Sequence, residues 1–194
     1  MSEPRDEQLG LALITIARGA IAARLGFADE TPPLHDALSA PGATFVTLFC
    51  RDELRGCIGS LRASRPLRED VRQNAINAAF HDPRFPPLAH AEFEATALEV
   101  SLLHASESVR FAAEEELLAR LRPGVDGLTL EHGAHRATFL PQVWAAIPEP
   151  PAFVAELKRK AGLAADFWSP RVNVGLYQVT KWRESDFSRT RVLQ

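Results

Sequence analysis

The residues best suited to chemistry lie together in Leu54-Arg55-Gly56-Cys57-Ile58-Gly59-Ser60. Side chains on a strand alternate between its faces, so this spacing predicts Leu54 and Ile58 on the core side and Arg55 beside Cys57 on the other. A guanidinium next to a thiol favours the thiolate, the nucleophilic and metal-binding form of cysteine. Gly56 and Gly59 flank the thiol, and glycine within a strand often marks the close approach of a ligand or another backbone. Cys57 therefore has two readings. It is either a nucleophile or thiol ligand open to a substrate, or a half-buried, inert thiol on a sheet whose glycines admit a helix.

A second group, His81-Asp82-Pro83-Arg84-Phe85-Pro86-Pro87, ends a helix in a stiff turn. Three prolines restrict this turn, so Arg84 has little freedom to lose on binding. Asp82 sits where the helix macrodipole disfavours a negative charge and needs compensation from Arg84, Arg55 or backbone donors. Arg55 and Arg84 together suit a carboxylate or phosphate, while an internal ion network with Asp82 and Glu99 would occupy the same groups. If the turn packs over the hairpin, His81 could pair with Cys57 and Glu99 could orient it, a Cys-His-acid arrangement set by placement in space. Asn74 falls on the inward stripe of the preceding helix and is expected to bond the backbone of a neighbouring loop. Lys160 either adds a cation to the site or is solvated at a helix end.

No metal site is expected, because paired CxxC, HExxH and clustered carboxylates are missing and His132 and His135 straddle a turn. Gly56 and Gly59 lie on a strand, unlike a phosphate-cradling loop, and the sequence specifies no cofactor.

These groups must be positioned by elements whose signals alternate along the chain. Leu13, Ala17, Ala20, Ile21 and Arg24 give a first helix over about residues 6–25, stopped by Gly26. After a proline-containing loop, Ala43–Cys50 reads as a strand, Arg51-Asp52-Glu53 as a turn, and the Cys57 segment as the second arm of the hairpin. Ser64 and Pro66 suit the cap and first turn of a second helix with Leu67, Val71, Ala75 and Ala78 inward. Glu94–Leu103 alternates, placing Leu98, Val100 and Leu102 opposite Glu99 and Ser101. A short helix over Glu114–Leu121, a hairpin over Gly127–Leu140, a helix over Pro150–Ala161 and a last strand over Val172–Thr180 complete the pattern. Hairpins separated by helices predict an α+β domain with a largely antiparallel sheet.

The 194 residues are 46% hydrophobic and 24% charged, enough for one domain with a real core, with or without a smaller lobe. A net charge of −3 and no long basic run give no electrostatic footprint for nucleic acid or an anionic membrane. No apolar run approaches the roughly 20 residues of a spanning helix. The polar start Met1-Ser2-Glu3-Pro4-Arg5-Asp6-Glu7 is unlike a signal peptide. The expectation is a soluble, cytoplasmic chain that keeps Cys50 and Cys57 reduced, with the hairpin register deciding whether the two face each other.

The chain resembles the AMMECR domain family, whose prokaryotic members are called AmmeMemoRadiSam system protein A. The resemblance rests on Leu54-Arg55-Gly56-Cys57-Ile58-Gly59 and on Ala78-Ala79-Phe80 followed by Asp82-Pro83-Arg84-Phe85-Pro86-Pro87. It continues through Glu99-Val100-Ser101, Phe139-Leu140-Pro141-Gln142-Val143 and Leu157 to Lys160-Ala161-Gly162-Leu163. These features cover roughly residues 10–180, leaving a polar C-terminal tail over 185–194. The resemblance implies a single α+β domain of two unequal lobes with a cleft between them, and association with a Memo-type protein and a radical S-adenosylmethionine protein. It implies no particular reaction, and the family pattern varies at the position of His81. The combined expectation is a cleft that handles a small anionic ligand with thiol chemistry at Cys57, or a non-catalytic assembly module.

Overall fold

The computed structural model describes residues 5–28 and 31–187. The first four residues of the polar N-terminal stretch and residues 188–194 of the expected tail lie outside the described residues. In chain order the elements begin with α1 (Glu7–Leu25), β1 (Pro41–Cys50), β2 (Glu53–Gly59), β3 (Arg65–Pro66), α2 (Leu67–Phe80) and β4 (Thr96–Leu103). They continue with β5 (Glu107–Val109), α3 (Glu114–Arg120), β6 (Gly127–His132), β7 (His135–Phe139), α4 (Pro150–Lys160), β8 (Asn173–Tyr177) and β9 (Val179–Arg183). The fold is α+β, and the chain divides into two compact units, Met1–Leu103 with Thr180–Gln194, and His104–Val179.

The first unit holds a sheet in the order β2-β1-β4-β9, with β3 paired to the start of β1. Helix α1 is fixed at both ends by local chemistry. Asp6 accepts from the Leu9 N–H at 3.0 Å, and Gly26 closes the helix in the left-handed region at φ 83°. By length and composition α1 is long and apolar enough to cross a membrane, contrary to the expectation that no apolar run reaches that length. Its apolar residues, however, are largely buried in the core.

That core joins Leu13 and Ile21 of α1, Val71 and Ala75 of α2, Val46 and Leu48 of β1, and Leu98 and Val100 of β4. Both helices thus supply the apolar cover for one face of the sheet, as the alternation of β1 and β4 requires. Trp182 of β9 joins the same core, its ring filling the space where Gly10 has no side chain.

Helix α2 starts two residues later than expected. Pro66 occupies the N-cap position, Ser64 does not cap the helix, and the Leu67 N–H instead donates to the Ala40 carbonyl at 2.8 Å. Arg65 and Pro66 pair with Gly42 and Pro41 as the short strand β3.

The second unit has its own sheet, ordered β5-β8-β6-β7, and its own core. Trp144 stacks on Phe153 at 3.7 Å, and Leu157 of α4 packs with Leu130 and Val174. The expected last strand over Val172–Thr180 is instead two strands, β8 and β9, separated by Gln178 and belonging to different sheets.

Candidate functional site

Cys57 lies on β2, the edge strand of the first sheet, opposite Thr47 of β1. An edge strand presents backbone groups on its outer side with no neighbouring strand to pair them. At Cys57 a side-chain pair takes that place. The Cys57 N–H donates to Asp82 Oδ2 at 2.9 Å, and Arg84 Nη2 donates to the Cys57 carbonyl at 3.3 Å. Carboxylate and guanidinium therefore hold this peptide as a strand partner would. The prolines at 83, 86 and 87 follow α2 directly, so the turn that carries both groups is stiff.

Asp82 is buried at 4% exposure, and its carboxylate also accepts from Arg84 N at 3.1 Å, Nε at 2.9 Å and Nη2 at 2.6 Å. The Arg84 guanidinium, aided by the Cys57 and Arg84 amides, holds the Asp82 carboxyl well below the usual carboxylate range despite burial. Arg84 is in turn raised, mainly by its hydrogen bond to Asp82. The compensation expected for Asp82 thus comes from Arg84 and backbone donors. Arg55 takes no part in it.

Arg55 does not stand beside Cys57 as the alternation predicts. Phe49 pairs with Leu54 and Leu48 with Gly56, so Arg55 is an extra residue in β2 and the two-residue period breaks there. Leu54 is 42% exposed and does not join Ile58 against the core. The guanidinium of Arg55 instead grips Glu92, with Nε 3.0 Å from Oε1 and Nη2 3.1 Å from Oε2, and Nη2 reaches the Pro87 carbonyl at 3.4 Å. That contact lowers the Glu92 carboxyl, which also accepts from the Ala89 N–H. Among the described residues, Arg55 and Arg84 converge on the Phe85 ring, 6.0 and 5.4 Å from its centroid.

Both glycines of the motif make room for the protein's own atoms, and Gly56 follows the reading in which the glycine admits a helix. A Cβ on Gly56 would meet the Ala78 carbonyl oxygen of α2 at 2.1 Å, and one on Gly59 would meet the Phe45 ring at 2.2 Å.

The sulfur sits on the sheet face opposite the helices. Thr47 is opposite both Cys57 of β2 and Glu99 of β4, so thiol, hydroxyl and carboxylate form one row across three strands. The Thr47 hydroxyl donates to Cys57 Sγ at 3.4 Å, and Cys57 is half-buried. Glu99, 7% exposed, is paired with Arg183 Nε at 2.9 Å and Lys181 Nζ at 3.5 Å, both on β9. Thr47 could have been suspected from its polar place between Phe45 and Phe49 on the outward positions of β1. The alternation Lys181-Trp182-Arg183 similarly marks two cations on one side of a strand. Nothing in the sequence marks Glu92.

The Cys-His-acid arrangement does not form. His81 is exposed at the C-terminus of α2, and among the described residues no hydrogen bond joins it to Cys57 or Glu99. Asn74 is buried as expected, but it bonds strand β1 rather than a loop, donating to the Thr44 carbonyl at 3.0 Å and to Asp70 Oδ2 at 2.9 Å. Asp70 is also held by Thr44, Ser60 and Arg65, so this is a saturated structural knot. Lys160 belongs to the second unit, where its Nζ donates to the Thr138 carbonyl at 3.0 Å and lies 5.0 Å from the Phe139 ring centroid. Cys50 faces Glu53 and Cys57 faces Thr47, so the hairpin register does not place the two thiols opposite one another. Among the described residues no group of three or more His, Cys, Asp or Glu is arranged to hold a metal ion.

Comparison with known proteins agrees with this arrangement of motifs. The sequence matches the AMMECR1 family over residues 14–182. A protein of Sulfurisphaera tokodaii is 37% identical over 97% of this chain and 87% of its own length. A protein of Thermofilum pendens is 38% identical over 82% of this chain and 81% of its own. The crystal structure of uncharacterized protein PH0010 from Pyrococcus horikoshii is similar with a TM-score of 0.76, at 34% identity over 93% of each chain. With its family motifs in order along nearly the whole chain, the protein is a member of the AMMECR1 family.

Proposed function

We propose that Cys57 is the nucleophile of a site that acts on a small anionic molecule on the outer face of the first sheet. The observation that carries this reading is the treatment of one residue. Cys57 has its N–H and its carbonyl fixed by Asp82 and Arg84, while its half-buried sulfur receives the Thr47 hydroxyl. Fixing a nucleophile from both sides of its peptide is how a reacting atom is held at a set position. The sulfur forms a bond to an electrophilic carbon of the substrate, the leaving group departs with the electron pair, and solvent takes the thiol proton. Arg84, 53% exposed along its side chain and bonded to the Cys57 carbonyl, supplies a positive charge at this residue. Metabolite profiling of a deletion strain complemented with wild type or with Cys57→Ser tests the reading. A metabolite that accumulates in the deletion should be cleared by wild type alone. Clearance by Cys57→Ser overturns the proposal.

One observation favours a second reading. Arg55 and Arg84 are both spent on internal carboxylates, Glu92 and Asp82, as a purely structural surface would spend them. In that reading the thiol is passive and the Arg84 surface docks a Memo-type or radical S-adenosylmethionine protein. Pull-down and cellular phenotype would then survive Cys57→Ser, whereas Arg84→Ala would abolish pull-down with the fold intact.

A further inference from the structure

Beyond the nucleophile, the same sheet face carries a charge pattern that says what kind of molecule would lie on it. The row Cys57, Thr47, Glu99 continues onto β9, where Arg183 and Lys181 share the single Glu99 carboxylate. Two cations thus share one carboxylate at contact distance, which leaves neither with a carboxylate of its own there. Both project outward, with side-chain exposures of 66% for Arg183 and 40% for Lys181. Arg183 offers only its Nε to Glu99 among its side-chain nitrogens, so the outer fork of its guanidinium keeps donors for a bidentate acceptor.

The other charges facing Arg183 are accounted for. Asp186 accepts from the Arg183 N–H and is paired at 2.7 Å with Arg5, which Glu7 also holds at 2.9 Å. Asp52, in the turn between β1 and β2, is the remaining carboxylate within electrical reach and opposes an incoming anion. Phe45 and Phe49, two positions either side of Thr47 on β1, are half-buried and share its outward set, so the row runs between apolar side chains.

Resting on the nucleophile reading above, we infer that the substrate is an elongated acid lying across the strands. Its carboxylate or phosphate end is held by Lys181 and Arg183, and its reacting carbon sits at Cys57. Strand spacing sets the separation, since β2 to β4 is two steps and β2 to β9 three, or about 10–14 Å. A compact acid cannot reach both ends.

Affinity labelling tests this in the Cys50→Ser background, so that Cys57 is the only thiol. The probe is N-bromoacetyl-ε-aminocaproate, with its uncharged methylamide as control. In both, Sγ bonds to the bromoacetyl carbon, the carbon–bromine bond breaks, bromide leaves with the electron pair and solvent takes the thiol proton. The anionic probe should label Cys57 with saturation and about tenfold faster than the methylamide at low concentration, an advantage that shrinks with added salt. The pair Lys181→Gln and Arg183→Gln should abolish the advantage, Lys181→Arg should retain it, and Asp52→Asn should widen it. Equal rates for the two probes, or an advantage that survives in the doubly substituted protein, overturn the inference while leaving the nucleophile in place. Failure of both probes to label Cys57 faster than the urea-unfolded chain removes the nucleophile reading and the elongated acid with it.

Discussion

Replacing Asp82 with alanine should weaken the first unit through two losses of different size. The carboxylate accepts four hydrogen bonds, one from the part-buried Cys57 amide and three from Arg84. A hydrogen bond to a charged acceptor contributes about 1.5–3 kcal/mol, and the Cys57 amide has no strand on its outer side to replace it. The Arg84 side chain is 53% exposed, so water recovers most of its loss and its share is nearer the 0.2–1 kcal/mol, roughly, of an exposed pair. The expected total is about 2–3 kcal/mol, or roughly 30–150-fold in the folded-to-unfolded ratio. Urea titration with hydrogen exchange read on core amides of the first unit measures it. Arg84→Ala alone should cost less, and the two substitutions together should show a coupling of about 1 kcal/mol. The Cys57 amide itself should exchange faster in Asp82→Ala. A change below about 0.5 kcal/mol, with Cys57 amide protection intact, would refute the idea that this pair stands in for a missing strand.

Other consequences follow from the same contacts. Because Arg84 depresses the Asp82 carboxyl, its stabilisation is complete above the unfolded value of about pH 3.9 and is lost as pH falls below that toward the folded value. Stability of wild type should therefore fall more steeply than that of Asp82→Asn in acid titrations followed by circular dichroism. Gly56→Ala places a methyl against the α2 backbone and should cost about 3 kcal/mol or more. Gly59→Ala drives a Cβ to 2.2 Å from the base of the half-buried Phe45 ring and should cost about 2 kcal/mol, both measured by urea unfolding. Gly10→Ala drives a Cβ to 2.2 Å from the buried Trp182 ring and should cost about 2–3 kcal/mol with a shift in Trp182 emission.

Much of the fold was legible because its signals are local. Asp6 and Gly26 bound α1 through contacts within a few residues, and the stripe of Leu67, Val71, Ala75 and Ala78 is buried as its spacing requires. Gly133, at φ 59°, turns the hairpin of the second unit where a tight turn was expected. What was not legible depended on partners far along the chain. The bulge at Arg55 is set by how β2 registers on β1, and it moves both Leu54 and the guanidinium off their expected faces. Glu92, which captures Arg55, lies 37 positions away in a short turn with no periodicity of its own. The break at Gln178 serves two sheets at once, so the composition of Val172–Thr180 reads as one continuous strand. At the site itself, the link from Asp82 to Arg84 was anticipated, but its target, the backbone of Cys57, could be seen only once β2 was known to be an edge strand.

The claim on which the functional account turns is that the fold presents Cys57 as a reactive atom. Iodoacetamide labelling of Cys57 at neutral pH, resolved by mass spectrometry in Cys50→Ser and compared with the same chain unfolded in urea, measures that directly. Labelling should be at least about tenfold faster in the folded protein, and slower in Thr47→Val and in Arg84→Gln than in wild type. Labelling no faster than in the unfolded chain would contradict it.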